Sequence, residues 1–513
     1  MLRSFLGAAA LAVTAHAATI QSTPAQQCQS FANGLDLSEY NTTIINSTYF
    51  ATDEYLFVVG TTNNAPFCQI FAQTVYGSPG TTVWAIWLPE TSDYQGRFLA
   101  VGDGGFAGVI EYDSMLADFN LGLGFAVAGG DGGHSALTND AGEGAPGVYL
   151  PFLHHQEEVL GWIHNGISIF TPPAKAITEA RYNSIKHAYY DGCSTGGAQG
   201  FALAQFHPTL FQGIVASSPG NYYSHLALSF LWNDLATDTV GTYIPQTQLT
   251  AMTAAVVAKC GGPDGVINNP PACQFDVDSF ACNATNLSLN NTACLTDAQL
   301  AAAKKIYAGP TNSNTGAQLY PGFAFGSESS WLLQEGLLAD SFSIPILQNL
   351  VYDDLGYDAS TFNFSSADVA AVNEKAGTLI DEIDPDIQQF HAGGGKLLSV
   401  QGWADPLNSP FWPIEHLQQV QAAFGGNVSS WFELFMSPGT GHCGSNDLYP
   451  DAPGTYATTA ALVAWVEQGS TPAQIEASMP PSGANITRKL CPYPQIAEYT
   501  GTDPDDWTSY TCT

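Results

Sequence analysis

Asp191-Gly192-Cys193-Ser194-Thr195-Gly196-Gly197-Ala198-Gln199-Gly200 is the stretch that decides the fold. Before it runs Ile185-Lys186-His187-Ala188-Tyr189-Tyr190, aromatic and apolar enough to predict a strand. After it runs Phe201-Ala202-Leu203-Ala204-Gln205-Phe206, which predicts a helix. Gly192-Cys193-Ser194-Thr195-Gly196 fits G-x-S-x-G and sits at the strand-to-helix turn which that motif requires. The turn is too tight for a Cβ on either side of the serine. It presents the Ser194 hydroxyl as a candidate nucleophile. The helix start behind it, beginning with the Thr195 N–H, offers donors to a developing oxyanion. The rival is a plain glycine-rich turn, and the flanking strand and helix argue against it.

Working outward, Thr82-Val83-Trp84-Ala85-Ile86-Trp87-Leu88 and Arg97-Phe98-Leu99-Ala100-Val101 predict strands, after a β-rich lead-in over residues 18–80. The second strand runs into Gly102-Asp103-Gly104-Gly105-Phe106-Ala107-Gly108. Such a loop lets backbone N–H groups approach a ligand, and Gly104 and Gly105 are candidates for the second oxyanion donor. A phosphate loop is disfavoured, because the Lys-Ser/Thr pair of a Walker sequence is missing. Phe125-Ala126-Val127-Ala128 and Gly213-Ile214-Val215-Ala216 are further buried strands, with a helical pattern between them over residues 151–180. His154-His155 starts that pattern but does not fit H-E-x-x-H.

Between residues 221 and 395 the character changes to short helical patterns, four cysteines and several sequons. The chain then returns to a core strand, Lys396-Leu397-Leu398-Ser399-Val400-Gln401-Gly402, followed by Trp403-Ala404-Asp405-Pro406. Gly439-Thr440-Gly441-His442-Cys443-Gly444 comes later. A serine at the elbow, an acid past a late strand and a histidine on a later loop stand in the chain order of the α/β-hydrolases. The expected architecture is therefore an α/β-hydrolase domain, residues 18–220 and 396–513, with a lid domain inserted at 221–395. Tyr320, Phe323, Phe325 and Trp331 are candidates for an aromatic pocket or, more simply, for the core of the lid.

The chain has 513 residues, 45% of them hydrophobic and 11% charged, which describes a packed globular protein. Twelve Lys+Arg against 46 Asp+Glu give a net charge of −34, a field that repels nucleic acid and anionic membranes. Arg3, the apolar run Phe5 to Val13 and Ala15-His16-Ala17 read as a signal peptide over residues 1–17, so the protein is expected to be secreted. Sequons at Asn41, Asn46, Asn283, Asn286, Asn290, Asn363, Asn427 and Asn485 suit an exported glycoprotein.

Ten cysteines in such a chain predict disulfides. Spacing suggests Cys260–Cys273, Cys282–Cys294 and Cys491–Cys512, and leaves the pairing of Cys28 and Cys68 open. Cys193 precedes Ser194 and Cys443 follows His442. If serine and histidine meet, these two cysteines come within bonding range.

The chain resembles the tannase/feruloyl esterase family of secreted serine esterases. The resemblance runs from about Trp84 to Asn446. It rests on Gly102–Gly108, on the Gly-Cys-Ser-Thr-Gly-Gly core within Gly161–Gln199, on Gly402-Trp403-Ala404-Asp405-Pro406 and on Pro438-Gly439-Thr440-Gly441-His442-Cys443. It implies Ser194 as nucleophile, His442 as base, Asp405 as its orienting acid, the Cys193–Cys443 bridge, and a lid that contributes to an aromatic acyl pocket. Two departures stand out. Family lids carry a calcium loop resembling C-D-x-x-D-G-V-x-D-G-x-I, whereas Cys260–Asn269 here is shorter and keeps one carboxylate, Asp264, where calcium sites take several; a weak structural calcium site would have to draw on backbone carbonyls and Asn268. Val109 stands where many relatives carry a further cysteine. The resemblance implies a hydroxycinnamate ester such as a feruloylated polysaccharide as substrate, hydrolysed without a cofactor. Gallate esters are the first alternative, and a non-catalytic binding protein or a peptidase on the same fold are more distant ones.

Overall fold

Nine strands form one mixed sheet: β1 Thr42–Phe50, β2 Phe67–Val75, β3 Thr81–Pro89, β4 Arg97–Val101, β5 Phe125–Gly130, β6 His187–Cys193, β7 Gly213–Ser217, β8 Lys396–Gly402 and β9 Phe432–Ser437. The computed structural model describes residues 22–139, 144–262, 264–283, 285, 288–289 and 293–513. The signal segment read at residues 1–17 and the sequons at Asn286 and Asn290 lie outside them. The order across the sheet is β1-β2-β3-β5-β4-β6-β7-β8-β9. The six strands from β5 to β9 in that order run parallel; β3 adds antiparallel to β5, β2 antiparallel to β3 and β1 antiparallel to β2. Parallel strands covered on both faces need apolar residues at nearly every position, and β5 and β9 are buried throughout.

Neighbouring residues on a strand face opposite ways. Tyr190 packs with Phe98, Phe170 and Phe201 on one side of the sheet. Tyr189 packs with Leu99, Val215 and Leu462 on the other. Helices Gly166–Tyr182 and Thr195–Phe206 cover the first side, and Tyr112–Asn120 and Thr458–Gln468 the second. From β4 the chain first crosses to β5 on one flank and later places β6 on the other. This reversal opens a crevice at the carboxyl ends of β4 and β6, the usual ligand position in open α/β sheets.

Two local details differ from the sequence reading, and a third bears it out. The lead-in opens with a helix, Pro24–Asn33, whose Thr23 and Gln26 form a capping box and whose buried Cys28 is bonded to Cys68 on β2. The segment over residues 151–180 is broken into a 3-10 turn Pro151–His154 and helices Gln156–Trp162 and Gly166–Tyr182. The glycine-rich run after Ser194 is helical from Thr195 onward. There tertiary packing overrides glycine's poor helix propensity. A Cβ at Gly197 would stand 2.6 Å from the Ser217 carbonyl, so only glycine lets this helix lie so close to β7.

The segment between β7 and β8 holds helices Tyr223–Thr237, Gln246–Cys260 and Asp297–Ala308 and a core of its own around Leu249, Met252, Phe280 and Trp331. Its two ends meet in a neck. Tyr222 bridges Asp381, the Glu382 N–H donates to the Asn221 carbonyl (2.8 Å), and Asn221 Nδ2 donates to the Glu382 carbonyl (3.1 Å). Five disulfides join Cys28–Cys68, Cys193–Cys443, Cys260–Cys273, Cys282–Cys294 and Cys491–Cys512. The sequon asparagines among the described residues are all exposed. Among those residues no helix is long and apolar enough to cross a membrane.

Candidate active site

Ser194 stands between β6 and helix Thr195–Phe206 with φ +63° and ψ −118°, a conformation that costs a side-chain-bearing residue energy. Its surroundings hold it there. The Ser194 N–H donates to Ser217 O (3.0 Å), and the Gly220 N–H donates to Ser194 O (3.1 Å). The turn is too crowded for side chains. A Cβ on Gly192 would lie 2.4 Å from the Tyr190 hydroxyl, and one on Gly196 would lie 3.0 Å from the Asp103 carbonyl.

Asp405 follows β8 and is fully buried. Its Oδ1 accepts from the N–H groups of Leu407 (2.8 Å) and Asn408 (3.0 Å), and its Oδ2 accepts from Gln401 Nε2 (2.9 Å). Three donors orient the carboxylate so that Oδ2 meets His442 Nδ1 at 2.9 Å. A donor at Nδ1 leaves Nε2 with its lone pair free. That nitrogen is buried and makes no hydrogen bond. His442 lies on the loop after β9, closed by a Gly441 N–H to Gly444 O bond of 2.8 Å. The Cys193–Cys443 disulfide, with Cα atoms 5.8 Å apart, ties this loop to the elbow. The Cys443 N–H adds a 3.2 Å bond to Ser218 Oγ. The structure thus brings Ser194, Asp405 and His442 to one place, and Ser194 and His442 line the same cavity.

That cavity has a volume of about 550 Å³. Gly104 and Gly105 line it beside Ser194, on the loop that leaves β4. Gln199, fully buried on the elbow's helix, holds the root of this loop. It accepts from the Asp103 N–H (3.0 Å) and donates through Nε2 to Asp103 Oδ2 (2.8 Å) and Trp162 O (2.8 Å). The Gly105 carbonyl accepts from Thr195 Oγ1 (2.7 Å) and Trp162 Nε1 (3.0 Å).

One wall of the cavity is apolar: Tyr223, Leu226, Phe230 and Phe342 from the inserted segment, with Leu407. None of the aromatics singled out in the sequence forms this wall. Phe323, Phe325 and Trp331 pack in the inserted segment's own core, and Tyr320 packs against Trp412. The other wall is polar, with Glu111, Asp118, Asp191 and Thr459. Thr459 Oγ1 lies 3.2 Å from Asp118 Oδ1 and 2.9 Å from Asp191 Oδ2. One hydroxyl has one proton to donate, so the second bond needs a protonated carboxyl. Burial raises both acids above the ordinary carboxylate range, which keeps such a proton in place.

Asp264 meets a cation of a different kind from the one the resemblance implies. Its Oδ2 is bonded to Nη1 of Arg488, on the strand Arg488–Leu490, and both side chains are buried. Its Oδ1 accepts from the Val266 N–H (3.0 Å). A guanidinium on the sole carboxylate of this loop repels a second positive charge, so these residues do not fit calcium. His154 and His155 do not converge on a common centre, and His154 instead contacts Asn349 and Asp353.

The sequence profile of the family described as "Tannase and feruloyl esterase" matches residues 68–513. An uncharacterized esterase of Xanthomonas campestris pv. campestris is 31% identical, over 93% of this chain and 90% of its own length. Feruloyl esterase B of Aspergillus niger is 27% identical, over 94% of this chain and 95% of its own. Among solved structures, feruloyl esterase B from Aspergillus oryzae superposes with a TM-score of 0.84 at 26% identity, covering 95% of this chain and all of that one. Tannin acyl hydrolase from Aspergillus niger shares the fold, with a TM-score of 0.74 at 21% identity, covering 96% of each chain.

Proposed function

The chain belongs to the tannase and feruloyl esterase family and is a carboxylic ester hydrolase, and from that premise we propose that it cleaves aromatic esters, hydroxycinnamoyl esters such as the feruloyl groups of plant-wall polysaccharides foremost, by acyl transfer through Ser194. The observation that carries this reading is the Asp405–His442 pair, bonded at 2.9 Å, whose free Nε2 shares a cavity with the strained elbow serine. His442 takes the Ser194 proton and the alkoxide attacks the ester carbonyl. The backbone N–H groups of Thr195 and of Gly104 or Gly105 hold the oxyanion, each worth ~3–4 kcal/mol of barrier. His442 passes the proton to the leaving alcohol. Water then enters, His442 removes its proton, and the acyl-enzyme is hydrolysed to the free acid. Asp405 keeps the imidazole in the required tautomer and stabilises the imidazolium.

The inserted segment, 221–395, acts in this reading as a lid, and its Tyr223, Phe230 and Phe342 suit an aromatic acyl group. No metal enters the reaction, since hydroxyl, imidazole, carboxylate and backbone amides supply every proton transfer and charge contact it needs. Gallate esters are the second reading, favoured by one observation: the polar wall offers Glu111, Asp118 and Asp191 as acceptors for phenolic hydroxyls. Secretion is supported by the signal-like start, the five disulfides and the exposed sequons.

The test is release of free acid from methyl ferulate and methyl gallate by the wild type and Ser194→Ala. Preferred turnover of the ferulate that vanishes in the variant is expected. Turnover that survives Ser194→Ala overturns the nucleophile, and a preference for gallate selects the second reading.

A further inference from the structure

The two halves of the proposed oxyanion hole come from different elements. One is the Thr195 N–H at the head of the elbow's helix, and the other lies on the Gly104–Gly105 loop after β4. An oxyanion is held well only when its donors keep a fixed separation, because donors that drift must be re-ordered during the reaction. At the root of the loop the Gly102 N–H donates to Asp191 O (2.9 Å) and Gln199 holds Asp103. At Gly105 itself two side chains span the gap. The Thr195 hydroxyl donates to Gly105 O at 2.7 Å, and the Trp162 indole N–H donates to the same oxygen at 3.0 Å. A carbonyl oxygen has two lone pairs, and both are thereby engaged. Thr195 is 1% exposed and Trp162 is fully buried, so water does not compete for these bonds.

We propose that the Thr195 hydroxyl is a positioning group: with Trp162 as its second arm, it braces the Gly105 carbonyl and so sets the gap between the two donors of the oxyanion hole. Thr195 serves twice, its N–H as a donor to the oxyanion and its side chain as the strut to the opposite donor. Gly105 has φ +53°, in the region that favours glycine, so the loop has little conformational resistance of its own and relies on the strut. The inserted segment leans on the same point. Tyr223 stacks edge-on against Trp162 with ring centroids 4.8 Å apart, and its hydroxyl stands 3.5 Å from Gly105 O. Phe342 packs against Phe106, the next residue of the loop, at 5.2 Å between centroids. The acyl wall and the strut are therefore one packed unit.

The inference rests on the acyl-transfer reading, and its test separates the two. Thr195→Val keeps the backbone N–H and the side-chain volume and removes only the hydroxyl. Its kcat on an aryl ester is expected to fall ~10- to 100-fold, part of the loss seen when a whole donor is removed, with KM changed less than ~3-fold, since the ground-state carbonyl depends little on the hole. Thr195→Ser, which keeps the donor, is expected to restore most of the rate. Trp162→Phe is expected to lose less than Thr195→Val. An aryl trifluoromethyl ketone, which adds to the serine and leaves an oxyanion, is expected to bind Thr195→Val more weakly by the same factor as kcat/KM falls, while the free aromatic acid binds as before. A Thr195→Val enzyme with wild-type kcat, or one that loses only KM, overturns the strut while a dead Ser194→Ala preserves the acyl-transfer reading. An active Ser194→Ala overturns both.

Discussion

Replacing both Cys193 and Cys443 with serine separates two jobs that one disulfide performs. The bond spans 250 residues of sequence. On the chain-entropy account, closing a loop of that length removes ~5 kcal/mol from the unfolded state, an upper figure because engineered and native bridges often deliver less. Spread over a chain of 513 residues at ~2 cal/mol/K each, that corresponds to a melting temperature lower by ~5 °C. The fold should survive, since Ser194 N–H to Ser217 O and Cys443 N–H to Ser218 Oγ still anchor the two loops. Activity should suffer more than stability. Ser194 and His442 each lie one residue from a sulfur, and a shift of ~1 Å between nucleophile and base can cost ~100-fold in rate. The assay is thermal unfolding by circular dichroism, paired with initial rates on an aryl ester at a temperature where the variant remains folded. A lower melting point with kcat at the wild-type level would refute the aligning role and leave only a staple. Unchanged values of both would refute the whole argument.

Asp405→Asn should keep the buried hydrogen bonds of Oδ1 yet lower kcat by ~10⁴-fold, because the wrong imidazole tautomer is then favoured; a loss below tenfold in steady-state assays contradicts the role given to Asp405. Chelators and added calcium should leave the melting temperature unchanged, whereas Arg488→Met strands the buried Asp264 carboxylate and should cost ~3–5 kcal/mol in urea unfolding; a calcium-dependent melting point in the wild type contradicts the donor-set argument. Burial pushes Asp131 up to about 6 and Asp381 up to about 7, so between an unfolded value of ~3.9 and those values the folded chain holds more protons and stability falls as pH rises. His134, His164 and His416, pushed down to about 4 by burial, act in the opposite sense below ~6.5. The raised carboxyls outnumber them, with Asp103, Asp118, Asp191 and Glu382 also shifted upward. The melting temperature should therefore be higher near pH 5 than near pH 7, and the reverse order contradicts this balance.

The chemistry of the site was legible because it is written locally. A nucleophile elbow needs glycines within two residues of its serine, and the acid and base follow strands whose apolar runs are unmistakable. Cysteines flanking Ser194 and His442 carry distance information that survives in one dimension. The walls of the cavity were not legible. Tyr223, Phe230 and Phe342 look no different in sequence from Trp331 or Phe323, which the fold buries in the inserted segment's own core. Which aromatic faces the serine depends on how that segment is docked, a matter of tertiary packing with no local code. Gln199 was within reach: a polar side chain one turn after the nucleophile, on a helix buried along its whole face, must satisfy its amide somewhere, and the glycine loop is the nearest backbone. The opening helix also left a trace, since Thr23, Pro24 and Gln26 spell a capping box ahead of Cys28.

The neck at Asn221 and Glu382 has an evolutionary corollary. Because the chain leaves the sheet after β7 and re-enters it at β8 through two segments bridged at Tyr222 and Asp381, everything in between is joined covalently through a single stem. Recombination at that stem exchanges the acyl wall without asking any strand to find a new neighbour. Scaffold and selectivity can then be inherited separately, with two restrictions: a transplanted segment must bring residues that seat against Trp162 and Phe106, or it arrives with a cavity and no working hole, and it must bring a carboxylate to meet the buried Arg488.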